Sequence, residues 1–121
     1  MSIPFKTGGC PCEFFNALWQ SNQAVFLVEL RGDRYYFLDE NPSYSKLSGM
    51  SIKGKYLEDI AVSKEAKAAI KAHYDQCINT AEITTYKEKL HISEVDTYWE
   101  TTLTPLTRGG ETRFFIGVAS N

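Results

Sequence analysis

The side chains in this chain that could do chemistry are three cysteines, two histidines and a scatter of acids, and their spacing argues against catalysis. Cys10-Pro11-Cys12 leaves one residue between two thiols, poor spacing for a redox pair or a metal pair, and no second ligand pair follows. Cys77 stands alone, so the thiol count is odd and without framework spacing, which fits a reducing compartment and makes the cytoplasm the expected location. No serine, histidine and acid set is placed recognisably, and no glycine-rich loop follows a strand to cradle phosphate. Binding chemistry is better represented. Tyr44, Tyr74 and Trp99 have polar tips that want hydrogen-bond partners when buried, so together they could orient a polar group in an apolar site.

At 121 residues the chain fits one domain, and 43% hydrophobic with 13% aromatic residues supplies a real core. The net charge of −2, from 13 basic and 15 acidic residues, offers no field to attract nucleic acid or anionic lipid. The opening MSIPFKTGG has no charged region followed by an apolar run, and nothing approaches the roughly 18 apolar residues of a membrane span. A soluble domain over residues 13–121, behind a flexible leader over 1–12, is expected.

The elements that would position these residues follow from periodicity. Between Glu13 and Gln23, Phe14, Phe15, Leu18 and Trp19 share one side of a short helix. Residues 24–30 read as a strand, and Arg31-Gly32-Asp33-Arg34 is turn chemistry leading into a second strand at Tyr35, an antiparallel hairpin. The same turn accounts for the adhesion-like triplet Arg31-Gly32-Asp33. Asn41 can cap a helix that begins at Pro42 and stops at Gly49, and Tyr56, Leu57 and Ile60 suit a further short turn. Ser63 can cap the long helix over 64–80, where Ile70, Tyr74, Cys77, Ile78 and Ala81 fall in one arc and His73 on its flank. Residues 83–92 alternate loosely, 93–97 form a turn, 98–106 alternate again, 107–112 turn back, and 113–120 make a last strand. His91 falls in that hairpin and is expected to be exposed. The sum is an α+β fold, a five-stranded antiparallel sheet with helices on one face and one flanking helix at the N-terminus.

The order of Asn41, Pro42, Tyr44, Leu47, Gly49, Gly54, Lys55, Leu57 and Ile60 resembles the PAS family of sensor domains, and Tyr98-Trp99, Pro105 and Phe115-x-Gly117 extend the resemblance over about residues 14–119. It implies a non-catalytic sensory module with a small-molecule pocket between sheet and helices, lined here by Phe26, Val28, Leu38, Tyr44, Leu47, Leu57, Ile70, Tyr74, Cys77, Trp99 and Phe115. A ligand-free dimerisation module whose core these residues simply fill is the alternative. Family members normally continue into an output domain, so the chain looks like a module excised from a longer signalling protein of the histidine kinase or diguanylate cyclase type. Light-sensing flavin members carry a cysteine in a motif just before the long helix; here that region reads Gly54-Lys55-Tyr56-Leu57-Glu58-Asp59, without one. Haem-sensing members place a histidine on the long helix, and His73 is the one histidine available there, about one turn beyond the matching position near Ile70. A haem-based sensor is therefore the lesser alternative. Phe14, Phe15, Leu18 and Trp19 are expected to pair with their copies in a homodimer, since a helix of about three turns does not persist undocked in water.

Overall fold

Alternating apolar residues resolve into five antiparallel strands in the computed structural model, which describes residues 11–92 and 94–120. These are β1 (Ala24–Arg31), β2 (Arg34–Glu40), β3 (Thr84–Ile92), β4 (Val95–Arg108) and β5 (Glu111–Ser120), joined in one sheet in the order β2-β1-β5-β4-β3. Helices α1 (Pro11–Trp19), α2 (Pro42–Ser48) and α3 (Lys64–Thr80), with a 3₁₀ turn at Leu57–Asp59, complete the α+β arrangement. α2 packs on β1, and α3 lies across β3, β4 and β5.

Local signals fix the helix ends. Gly49 closes α2 in the left-handed region at φ 78°, and the Ser63 hydroxyl accepts the Ala66 N–H at the start of α3. The hairpin turns are tighter than the sequence suggests. Val95 pairs with Ile92, so β4 begins inside the stretch expected to turn. At the next hairpin Gly109 and Gly110 take φ 62° and 79°, a mirror-image two-residue turn whose twist matches the strands it joins. Helix α1 ends at Trp19, short of Gln23, and begins at Pro11, inside the stretch expected as leader. Cys10 lies outside the described residues, as do the side chains of Cys12 and Phe14.

One face of the sheet carries the core. Phe26 and Val28 of β1, Tyr35 and Phe37 of β2, Tyr86, Leu90 and Ile92 of β3, Trp99 and Leu103 of β4, and Phe115 of β5 are buried against Ile70, Tyr74 and Cys77 of α3. Gly117 of β5 stands opposite Phe26 in register, and a Cβ there would clash with the face of the Phe26 ring at Cζ. The ring packs on bare backbone, and only glycine leaves that space.

Asn41 joins three elements and is fully buried. Its Oδ1 accepts the N–H groups of Val25 (2.9 Å) and Tyr44 (3.1 Å), and its Nδ2 donates to the carbonyls of Trp19 (3.0 Å) and Gln23 (2.8 Å). Those four bonds use the full capacity of the amide.

Two outcomes follow for chemical denaturation. Asn41→Ala removes four hydrogen bonds, leaving the Tyr44 N–H only the Asn41 backbone carbonyl, and destabilises by about 2 to 4 kcal/mol. Gly117→Ala overpacks the Phe26 contact and destabilises by about 1 to 3 kcal/mol.

Candidate functional site

Between the inward sheet face and the helices lies a cavity of about 40 Å³. The helix side is built by Tyr44 and Ser48 of α2, Met50 and Ile60 of the connecting segment, and Ile70 and Tyr74 of α3. On the sheet side are Phe26 of β1, Phe37 of β2, Trp99 and Thr101 of β4, and Ala119 of β5. β3 contributes Tyr86, Glu88, Leu90 and Ile92, which share one face because side chains alternate along a strand. The same alternation that buries Tyr86 and Leu90 therefore carries Glu88 to the inside.

Among the described residues Glu88 is the one charged side chain on these walls, and no lysine, arginine or histidine lines them; Glu88 is half-buried, and its outer side borders Lys87 and Lys89. Burial alone pushes its carboxyl up to about 7, because an ion loses hydration there and no cation on the cavity walls offsets the loss. Tyr44 from α2, Tyr74 from α3 and Tyr86 from β3 itself face it, and burial raises all three hydroxyls so that they stay neutral donors. The hydroxyls of Thr101 and Tyr74 partly offset the effect at Tyr86. Trp99 lies differently: its Nε1–H donates to Thr97 Oγ1 at 2.8 Å, so the ring lines the cavity while its polar tip is already satisfied.

Among solved structures the chain is similar to the PAS domain of a protein from Colwellia psychrerythraea, with a TM-score of 0.71 and 13% identity over 91% of this chain and 94% of that one. It is also similar to a PAS domain from a two-component sensor histidine kinase, with a TM-score of 0.62 and 21% identity over 90% of this chain and 96% of that one. The chain has a PAS fold. An RNA-binding light-oxygen-voltage receptor aligns over 95% of this chain with a TM-score of 0.70 and 18% identity, and the chain spans 33% of that receptor's length. No family model and no curated protein matches the sequence.

Within the PAS frame, five of the residues expected around a pocket come together at the cavity: Phe26, Tyr44, Ile70, Tyr74 and Trp99. Val28, Leu57, Cys77 and Phe115 are buried in the same core but do not line it. Cys77 is a packing residue, its thiol raised by burial and directed at the Leu103 carbonyl. Leu38 and Leu47 leave the set altogether. Leu38 follows the buried Phe37 on β2 and so points to the opposite face, and Leu47 is 40% exposed on the outer side of α2.

His73 is not placed to ligate anything in the cavity. Its ring stacks on Tyr86, 4.0 Å between centroids and 6° from parallel, and burial lowers its basicity. A haem or flavin ring system needs a site of several hundred cubic ångströms, so neither fits a space of about 40 Å³. His91 is exposed, as expected, and pairs with Asp96 at 2.9 Å. In α1, Phe15 and Trp19 stack 5.2 Å apart, and with Leu18 they are only half-buried by the rest of the chain.

Sequence reasoning missed the β3 wall: Tyr86, Glu88, Leu90 and Ile92. The signal was present as a period-two run in which Glu88 occupies the phase of three large apolar or aromatic side chains.

The raised Glu88 pKa has a definite sign in stability. Between the ordinary carboxylate value of 4.5 and about 7 the native state binds more protons than the unfolded chain, so stability falls as pH rises through that window. Glu88→Gln removes the loss: the variant exceeds the wild type by about 1 to 3 kcal/mol at pH 8, after allowance for partial solvation, and denaturation curves show the margin narrowing towards pH 5.

Proposed function

We propose that this chain is a non-catalytic sensory module that takes a small ligand into its internal cavity and signals, as a homodimer, to an output domain of a longer polypeptide such as a histidine kinase or diguanylate cyclase. The observation that carries the reading is Glu88, a half-buried carboxyl without an ion-pair partner among the described residues, which faces neutral tyrosine hydroxyls across a mainly apolar cavity. A core built only for packing gains nothing from such a group, whereas a binding site needs a few convergent polar groups among apolar walls. The route outward is short. Tyr44 lines the cavity, and its backbone N–H is held by Asn41, whose Nδ2 also holds the Trp19 carbonyl at the end of α1. A ligand that binds one Tyr44 position better than another would shift α1 by that difference in affinity.

The dimer would bring together the half-buried Phe15, Leu18 and Trp19 of α1 and the outward sheet face, where Leu27, Leu106, Phe114, Ile116 and Val118 form an apolar band over β1, β4 and β5. A cytoplasmic setting agrees with the free thiol of Cys77, and no helix among the described residues is long and apolar enough to cross a membrane. The ligand-free module draws its support from the small cavity volume. The two readings separate in mass spectrometry of freshly purified protein under native and then denaturing conditions. The sensory reading expects a dimer that releases a small molecule, and a Phe15→Glu, Trp19→Glu variant that is monomeric. A wild type monomeric at tens of micromolar overturns the dimer, and a dimer that releases nothing favours the ligand-free module.

A further inference from the structure

We infer that the cavity recognises a compact organic ammonium ion, with the Glu88 carboxylate as its counter-ion and the rings of Tyr44, Tyr74, Tyr86 and Trp99 as its walls. The inference rests on the sensory reading above and adds the chemical class of the ligand. Three observations point the same way. Among the described residues the lining holds one acid and no cationic side chain, so on the cavity side only a ligand can set a positive charge beside Glu88, whose half-buried side chain also borders Lys87 and Lys89 towards the surface. An anionic ligand would face that carboxylate in a low-dielectric space, and a neutral one would leave its charge unpaired. The rest of the wall is aromatic, and a cation within about 6 Å of an aromatic centroid is attracted to the ring face, the more so when desolvated. The volume, about 40 Å³, then limits the occupant to roughly one or two water-sized groups, the scale of methylammonium.

The geometry also fixes how binding responds to pH. On the cavity side the titratable groups facing Glu88 are Tyr44 of α2, Tyr74 of α3 and Tyr86 of β3, all held neutral by burial, while β4 and β5 present Trp99, Thr101 and Ala119, none of which ionises; on its outer side Glu88 borders Lys87 and Lys89 of β3 and Tyr98 and Glu100 of β4. Among the described residues Glu88 is therefore the one group in the cavity lining whose charge changes near neutrality. Its ionised fraction rises about thirty-fold between pH 5.5 and pH 8 for a group titrating at about 7, and an alkylammonium stays protonated over that range.

The test is a titration of the whole chain with methylammonium chloride, followed by tryptophan fluorescence and amide chemical shifts, with sodium chloride, sodium acetate and methanol as controls. The expected result is a saturable response to methylammonium alone, about thirty-fold tighter at pH 8 than at pH 5.5, and weakened at least about ten-fold in Glu88→Gln. If Glu88→Gln does not fold, the wild-type pH profile decides. A saturable response to methanol or acetate that is the same in the variant overturns the ammonium assignment and leaves the sensory reading intact. Methylammonium binding with no pH dependence overturns it too, as does no saturable response to any probe. In that last case the molecule released in the mass spectrum separately decides the sensory reading.

Discussion

The structure depends first on the side chain of Asn41. A buried primary amide is tolerated only when its two donors and its acceptor oxygen are occupied, and here they are occupied by three different parts of the chain: the end of α1, the start of β1 and the first turn of α2. Because Asn41 also caps α2, the entry angle of that helix and the seating of α1 are set by the same group. Neither can be changed alone. Glu40, one residue earlier, extends the arrangement: its Oε1 accepts the N–H groups of Ile52 and Lys53 and so holds the segment between α2 and α3 against the end of β2.

The tie across the opposite side of the core is of a different kind. The Tyr35 hydroxyl donates to Asp75 at 2.7 Å, joining β2 to α3, and the Tyr35 ring packs edge-on to Tyr74 and Phe115. Between this tie and the Asn41 clamp the interior is filled mainly by aromatic rings. Large rigid rings meeting at steep angles fill space unevenly, and the cavity is what remains where Phe26, Tyr44, Tyr74 and Trp99 converge. Glu88 sits at that gap. The strand that bears it cannot turn one residue outward without reversing Tyr86, Leu90 and Ile92, so their burial forces the carboxyl inward despite the loss of hydration.

Much of the fold was legible in the residues themselves because the deciding interactions are local. The caps at Asn41 and Ser63, the stop at Gly49 and the arc of Ile70, Tyr74 and Cys77 each depend on neighbours within one or two helical turns, and the structure reproduces them. The hairpin turn after β3 was read too long because turn-forming residues at 93–97 compete with strand pairing that only the partner strand supplies.

The site was legible in part. Phe26, Tyr44, Ile70, Tyr74 and Trp99 follow from periodicity and from the resemblance, while Leu38 and Leu47 did not join them because the phase of a short strand and the outer side of a short helix are fixed by what packs against each. What the sequence determined by itself is the order of elements, their caps and the inward phase of the long helix. The tertiary structure alone decided the volume left between the rings and the lack of a cation, among the described residues, on the cavity walls that Glu88 faces. Both depend on the sheet order β2-β1-β5-β4-β3, which brings strands distant in sequence to face one helix and leaves a single carboxyl among them.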